Sequence, residues 1–238
     1  MMIVWNEKSI RWFRNASEYT GYNKNLARIL LEHIPNRNSL CDMGCGAALI
    51  DFELVNQIKR ITCIDISQVV IDAVEQQTKE QGVTNITAQC MDASKVDGEW
   101  DTVLALFHGG ADVVSKYLPH AKDRLILASH SSLKGSFGPE GRKVTKCFDT
   151  EGVRDYLDGR GISYYLREVE LEYGQPFSDL RDAEEFVRAY TMPMEKEELD
   201  AYLRKYLEQT SDPQFPYYLP KKKRLGLFVI RRDENAQF

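Results

Sequence analysis

Between residues 39 and 129 the sequence alternates short apolar runs with segments whose apolar residues recur at helical spacing. The apolar runs predict five strands, at residues 39–42, 61–66, 85–90, 101–107 and 124–129. The segments between them predict helices at residues 47–58, 67–82 and 111–118. Because these strands are continuously apolar, we expect an α/β fold in which a parallel sheet is covered by helices on both faces.

The flanks of this segment have a different character. Residues 1–38 hold an aromatic-rich arm and a helix with apolar residues along one side. A Gly-, Ser- and Lys-rich stretch from His130 to Thr150 predicts a long loop. Residues 174–219 predict two more helices, and prolines separate these helices from a last strand at residues 225–230.

A chain of 238 residues suits one domain. We therefore expect a single domain over residues 1–238, with a helical arm at 1–38, an α/β core at 39–173 and 220–238, and a helical insertion at 174–219.

Composition excludes several classes of protein. With 28% charged and 43% hydrophobic residues, the chain falls among ordinary globular proteins. Its longest apolar runs are strand-length, far below the roughly 20 residues that cross a bilayer, so no membrane association is expected. The first residues lack the layout of a secretory signal, and five cysteines are too few for a disulfide scaffold. These features predict a cytoplasmic protein.

A tight turn joins the first predicted strand to its helix and contains Asp42, Gly44 and Gly46. Glycine adopts positive φ at low cost, and the helix that follows points free N–H groups at whatever lies over the turn. Asp65 closes the second strand and Asp92 the third. Since open α/β sheets bind ligands at the carboxyl ends of their strands, we expect the three acids to face one crevice.

The nature of the ligand follows from what surrounds the glycines. The nicotinamide fingerprint has a third glycine where this chain has Leu49, and a pyrophosphate would be repelled by Asp42. A nicotinamide oxidoreductase is therefore disfavoured. A ligand that carries an ammonium group is compatible with the same carboxylate.

The pattern Asp42-x-Gly44-x-Gly46, followed by Asp65 and then by Asp92 with Ala93, resembles motif I and its successors in class I S-adenosylmethionine-dependent methyltransferases. The resemblance covers roughly residues 38–130. It departs from the family pattern at Ala48, where the family often has a third glycine.

The resemblance implies a Rossmann-like, doubly wound sheet of seven mostly parallel strands, with residues 225–230 as an antiparallel last strand. It also implies S-adenosylmethionine (SAM) as cofactor. The residues that it places at the cofactor are Asp42, Gly44, Gly46, Asp65, Ile66, Asp92, Ala93 and Phe107. In this scheme the glycine backbone lies against the methionine moiety and Asp65 holds the ribose hydroxyls. Ile66 flanks the adenine, Asp92 accepts from its amino group, and the N–H of Ala93 donates to its ring.

Methyl transfer from a sulfonium is an in-line displacement in which positioning contributes most of the acceleration. A general base is needed only for a protonated acceptor. His108, after the fourth strand, is the candidate base, since an imidazole has an ordinary pKa near 6.5. Its alternative role is to pack beside the cofactor. No metal is expected, because the spacing of Cys41 and Cys45 is not that of a zinc site.

The N-terminal aromatic residues allow two interpretations. The rings of these residues would either be buried on the sheet edge or form a lid that excludes water from the cleft and faces the sulfonium; the residues are Trp5, Trp12, Phe13, Tyr19 and Tyr22. In the related enzymes the segment before the first strand often covers the cofactor, which favours the lid. The insertion at residues 174–219 is the other predicted wall of the substrate pocket.

The distribution of charge along the chain bears on the chemical nature of the methyl acceptor. Residues 39–133 carry a net charge of −6 and residues 174–219 carry −5, whereas a nucleic-acid partner needs clustered positive charge. The basic run from Lys221 to Arg224 favours a solvated strand edge. We therefore expect a small-molecule acceptor and no nucleic acid. RNA or protein methylation and non-catalytic SAM binding stay open as alternatives, and the oligomeric state is not predicted.

Overall fold

The computed structural model describes residues 5–110, 112–130, 137–139 and 149–235. Most of the predicted loop from His130 to Thr150 lies outside the described residues. The helices are α1 Glu7–Thr20, α2 Tyr22–Leu31, α3 Leu49–Leu54, α4 Gln68–Glu80, α5 Val113–Tyr117, α6 Thr150–Asp158, α7 Leu180–Tyr190 and α8 Lys196–Tyr206. The strands are β1 Leu40–Met43, β2 Ile61–Asp65, β3 Ile86–Cys90, β4 Trp100–Leu106, β5 Ala121–His130, β6 Tyr165–Glu172, β7 Gln175–Phe177, β8 Glu208–Gln209, β9 Tyr217–Leu219 and β10 Lys222–Arg231.

Seven of these strands form one sheet in the order β3-β2-β1-β4-β5-β10-β6. Strands β1 to β5 are parallel to one another, and β10 runs antiparallel to both β5 and β6. This arrangement confirms the predicted doubly wound sheet with an antiparallel last strand. Because β1 lies between β2 and β4, the carboxyl ends of these three strands meet at one edge of the sheet.

Both faces of the sheet are covered. On one face, Leu40 belongs to an apolar cluster that includes residues of α2, α3 and α4. On the other face, Cys41 belongs to a cluster that includes residues of α5 and α6. Since successive side chains of a strand point to opposite faces, burial on both sides accounts for the continuous apolar runs in the sequence.

The insertion contains more than the two predicted helices. Besides α7 and α8 it has a three-stranded sheet of order β7-β9-β8, which the sequence did not predict. Its strands are two or three residues long, too short to show an alternating pattern. The insertion has its own apolar cluster, in which Phe177, Phe186 and Leu199 pack with Trp12 of the arm.

A buried carboxylate joins the arm to the insertion. Asp182 of α7 is 7% exposed, and its Oδ1 accepts from the indole N–H of Trp12 at 2.9 Å and from the guanidinium of Arg11 at 2.6 Å. The ring of Trp12 packs edge-on against Phe186. The arm and the insertion therefore share one packed interface. Within the described residues no helix is both long and apolar enough to cross a membrane.

We expect Asp182→Ala to lower the free energy of unfolding by about 1–3 kcal/mol, because it leaves the buried indole N–H of Trp12 without an acceptor. Urea denaturation measures the change. Glu197→Ala, at an exposed position of α8, is the control and should change stability by less than about 0.5 kcal/mol. Equal losses in the two variants would contradict the structural role of Asp182.

Candidate functional site

The turn after β1 is held in a conformation that favours glycine. Gly44 and Gly46 have φ of +77° and +53°. The N–H groups of Gly44 and Cys45 donate to the carbonyl of Ile64 in β2, at 2.8 and 2.9 Å. Ala48, the departure from the family pattern, has φ of +50°. The position at which the family often has a third glycine therefore has a left-handed backbone in this chain too. For an alanine this conformation costs about 1–2 kcal/mol.

Asp65 fastens this turn to the end of β2. Its Oδ2 accepts from the N–H of Gly46 at 3.0 Å, and its Oδ1 accepts from the N–H of Ser67 at 2.9 Å. The next residue, Ile66, leaves 68% of its surface exposed. A fixed carboxylate beside an exposed aliphatic side chain can hold a ligand that has hydroxyl groups on one part and an apolar face on another.

Asp92 hydrogen-bonds to a residue that follows it closely in the chain. Its Oδ1 accepts from the N–H of Ser94 at 2.9 Å and from the Ser94 hydroxyl at 2.8 Å, which caps a short 3₁₀ helix that begins at Ala93. These hydrogen bonds lower the pKa of the Asp92 carboxyl. Asp92 is thus ionised, and its second oxygen accepts neither of these hydrogen bonds.

His108 lies directly against the glycine turn. A Cβ placed on Gly44 would come within 2.5 Å of the His108 ring, so only glycine permits this approach. Nε2 of His108 is 3.1 Å from the hydroxyl of Tyr117. Burial lowers the pKa of His108 and outweighs the opposing effect of the Asp65 and Asp92 carboxylates. The imidazole is therefore neutral at pH 7 and can accept a proton.

Phe107 precedes His108 and has a strained backbone. Its φ is +59°, in the left-handed region that residues other than glycine seldom adopt, while its N–H donates to the carbonyl of Ala128 at 2.8 Å. Such strain concentrates at functional sites. Here it turns the chain sharply at the end of β4 and places the Phe107 ring 5.0 Å from that of His130.

The N-terminal arm reaches the turn through Trp5. A Cβ on Gly46 would come within 2.7 Å of the Trp5 indole, which also packs on Phe13 at 5.1 Å between ring centroids. Three of the other predicted lid residues lie elsewhere on the arm. Trp12 and Tyr19 pack on rings of the insertion segment, and Tyr22 packs on Tyr173.

Asp42 lies beneath the turn and not on its surface. It is 2% exposed and adjoins Asp51 of α3, which is fully buried. Burial raises the pKa of both carboxyl groups, that of Asp51 to about 7. The two carboxyl groups lie within hydrogen-bonding reach of each other. Because two buried carboxylates repel, we conclude that the pair holds a proton at neutral pH.

The structure thus brings Gly44, Gly46, Asp65 and His108 together at the carboxyl edge of the sheet, with Asp92 near enough to influence the titration of His108. Asp42 is part of the support under the turn. The described residues include no group of three or more His, Cys, Asp or Glu side chains that could hold a metal ion. The roles assigned to individual residues stay predictions.

Two residues near this edge, Asp51 and Lys223, were missed as site candidates. Asp51 lies three residues before the buried Leu54, on the same face of the helix. An acidic residue on the apolar face of a predicted helix was the signal that could have identified it. Trp5, in contrast, was among the aromatic residues of the lid interpretation, and it lies against Gly46. Lys223 was assigned with its neighbours to a solvated strand edge. Because alternate residues of a strand face opposite sides, Lys223 should have been expected to face away from Lys222 and Arg224.

Comparisons with known proteins agree with this geometry. Residues 40–125 match the family model of a methyltransferase domain, which spans β1 to the first half of β5. No curated protein sequence matches the chain. Many solved structures share its fold.

Three solved structures illustrate the similarity in fold. A magnesium protoporphyrin IX methyltransferase from Synechocystis PCC 6803 with bound S-adenosylhomocysteine (SAH) is 16% identical, with a TM-score of 0.54, over 95% of this chain and 88% of that one. A SAM-dependent methyltransferase from Aquifex aeolicus is 15% identical, with a TM-score of 0.56, over 71% and 94%. A precorrin 8W decarboxylase from Methanobacterium thermoautotrophicum is 15% identical, with a TM-score of 0.51, over 87% and 89%.

At such low identity these similarities establish the fold. Together with the family match at residues 40–125, they confirm the predicted resemblance to class I SAM-dependent methyltransferases and support SAM as the cofactor. The decarboxylase shows that proteins named for other chemistry share the same fold.

The buried pair of Asp42 and Asp51 predicts a pH dependence of stability. The folded state keeps a proton that unfolded Asp51 releases near its ordinary pKa of 3.8, so the contribution of this group falls as pH rises from about 4 to about 7. We expect Asp51→Asn to gain stability relative to the wild type over this window, by a few kcal/mol at most. Urea denaturation at a series of pH values measures the difference.

Asp72→Asn, at an exposed position of α4, is the control for that measurement. It should follow the wild-type profile in parallel. A parallel profile for Asp51→Asn as well would show that Asp51 ionises normally in the folded protein.

Proposed function

We propose that this chain, whose residues 40–125 form a class I SAM-dependent methyltransferase domain, transfers the methyl group of SAM to a small-molecule acceptor. The observation that carries the proposal is the glycine turn. Two glycines with positive φ are hydrogen-bonded to Ile64 and Asp65 of β2, beside the exposed Ile66. We propose further that the chain acts as a single domain over residues 1–238.

The residues present fit this cofactor. Gly44 and Gly46 adopt the left-handed conformation and have no side chains. The turn therefore places none of its own side chains in the space where the cofactor would lie. The Asp65 carboxylate accepts one hydrogen bond on each oxygen and retains lone pairs for ribose hydroxyls. Ile66 offers an exposed aliphatic surface for the adenine. The negative charge near the turn suits a cationic ligand.

When bound, SAM would supply a methyl group on a positively charged sulfur, and that sulfur would become a neutral thioether in the same step in which the methyl carbon bonds to the acceptor. The chain contributes positioning and exclusion of water, for which Trp5 and the insertion are the covering elements. His108, neutral at pH 7, takes the proton of a protonated acceptor.

Charge supports a small acceptor. The segment of residues 174–219, which we propose as a wall of the acceptor pocket, has a net charge of −5, opposite to what a phosphate backbone requires. The Trp5 indole against Gly46 also limits the space over the turn. RNA and protein substrates are accordingly disfavoured. Non-catalytic SAM binding is an outcome that the experiments below distinguish.

Asp65→Ala tests the proposed cofactor site. We expect the dissociation constant for SAH, measured by isothermal titration calorimetry, to rise by the equivalent of about 1–3 kcal/mol, because charge-assisted hydrogen bonds to the ribose are lost. Asp72→Ala is the matched control and should bind SAH as the wild type does. An unchanged constant in Asp65→Ala would remove Asp65 from the site, and wild-type binding of NAD in place of SAH would overturn the proposed function.

His108→Asn tests the proton acceptor. On a panel of protonated small-molecule acceptors we expect SAH formation to fall by about 10²–10⁴-fold, with binding of SAH retained. His120→Asn, at the opposite end of the sheet before β5, should be unaffected. Full turnover in His108→Asn would assign His108 to packing alone, and SAH binding without turnover of any acceptor by the wild type would favour a non-catalytic protein.

A further inference from the structure

We infer that Tyr117 is a positioning residue for His108. Its hydroxyl oxygen accepts the hydrogen on Nε2 of the imidazole and thereby leaves the lone pair of Nδ1 for the proton of the methyl acceptor. The inference rests on the proposed function and specifies which nitrogen of His108 reacts. It is carried by a hydrogen bond between helix α5 and the residue that turns the chain after β4.

Helix α5 contacts two successive residues of the segment after β4. Val113 and Tyr117 are four positions apart and therefore lie on the same side of the helix. The side chain of Val113 lies beside Gly109, where an added Cβ would come within 2.1 Å of it. Tyr117 reaches His108, the residue before Gly109. The helix thus fixes this segment at two points.

The side chain of Tyr117 is itself held in place. It is 5% exposed and packs in the apolar cluster that covers one face of the sheet. Its hydroxyl oxygen lies 3.1 Å from Nε2 of His108, and the planes of the two rings differ by only 9°. The hydrogen bond that one ring nitrogen makes decides which nitrogen carries the hydrogen. Tyr117 therefore sets the state of both nitrogens of His108.

The other nitrogen of the ring, Nδ1, is the one that a ligand can reach. Among the described residues only Tyr117 hydrogen-bonds to the ring, and His108 as a whole is exposed although Gly44 lies against one side of it. A Cβ placed on Gly44 would be 2.7 Å from Nδ1. This nitrogen therefore borders the turn where the cofactor is proposed to bind, and an acceptor beside the cofactor would meet it.

The direction of the hydrogen bond follows from the transfer of the proton. When Nε2 carries the hydrogen and Tyr117 accepts it, Nδ1 has a lone pair. The proton of the acceptor bonds to this lone pair, the acceptor atom keeps the electrons of the broken bond, and the hydrogen on Nε2 stays where it is. The bond to Tyr117 then becomes charge-assisted and stronger. In the opposite direction Nδ1 would already carry a hydrogen and could not accept another.

Several charged groups act on the same imidazole. Burial lowers the pKa of His108 and the Lys116 ammonium opposes its protonation as well, whereas the carboxylates of Asp65 and Asp92 raise the pKa. An oxygen that accepts from Nε2 acts in the same sense as these two carboxylates, because it stabilises the imidazolium. Burial and the carboxylate of Asp92 raise the pKa of Tyr117 to about 12, so this residue remains a neutral hydroxyl.

Proton–nitrogen NMR spectra of the full chain show which nitrogen of His108 carries the hydrogen, without requiring turnover. The chain has four histidines, and His108→Asn identifies the signals of this one by their loss. We expect the neutral ring of the wild type to carry its hydrogen on Nε2. A neutral ring with the hydrogen on Nδ1 would overturn the inference.

Tyr117→Phe removes the accepting oxygen and keeps the ring that packs in the apolar cluster. We expect the neutral ring of His108 to lose its preference for a hydrogen on Nε2. The midpoint of its titration, followed in the same spectra, should move to lower pH by about 0.5–1 pH unit, because the imidazolium loses one hydrogen bond. With an acceptor whose methylation depends on His108, kcat should fall by about three- to tenfold.

Tyr164→Phe is the matched control, because it removes the hydroxyl of a tyrosine that packs against the same cluster and donates to Asp158. It should leave the tautomer and the titration of His108 as they are in the wild type. A wild-type tautomer and titration in Tyr117→Phe would overturn the inference. Should Tyr117→Phe fail to fold, the tautomer of the wild type decides by itself.

Binding of SAH separates this inference from the proposed function. Failure of the wild type to bind SAH would overturn the proposed function. Normal binding of SAH together with a hydrogen on Nδ1 would overturn only the role of Tyr117. Tyr117→Phe should bind SAH as the wild type does, because the hydroxyl that it lacks contacts the imidazole.

Discussion

The hydrogen bond from the N–H of Gly46 to the carboxylate of Asp65 ties together the two strands on which the site depends. It joins the turn after β1 to the end of β2, while the N–H of Gly44 reaches the carbonyl of Ile64 in the same strand. With the turn held in this way, His108 and Trp5 can each lie directly against a glycine.

Much of the sheet could be predicted from the sequence because burial on both faces leaves a simple signal. The runs at residues 61–66 and 101–107 became β2 and β4 within one residue at each end. The strands of the small second sheet escaped prediction, since a pair such as Glu208 and Gln209 is too short for any period. Their pairing depends on residues far apart in sequence.

The sequence predicted the site residues that lie at the ends of strands. Asp65 and Asp92 were expected there from their place after β2 and β3, whereas the depth of Asp42 was not, because spacing does not reveal which side of a turn a side chain occupies. Three rings surround Lys223 of β10, and they belong to Tyr22 of α2 and to Phe107 and Tyr173, which directly follow β4 and β6. Only the folded arrangement brings them together.

The interface at Asp182 also bears on the order in which the molecule assembles. Asp182 and Trp12 are 170 positions apart along the chain, and this contact helps dock the arm that carries Trp5. Because closing a long loop costs conformational entropy, we expect this contact to form after the more local contacts of the sheet. The parallel strands and their glycine turn can therefore form before the insertion offers the arm a surface to pack against. We therefore expect the crevice to acquire its cover only when the insertion, about 170 positions further along the chain, has folded.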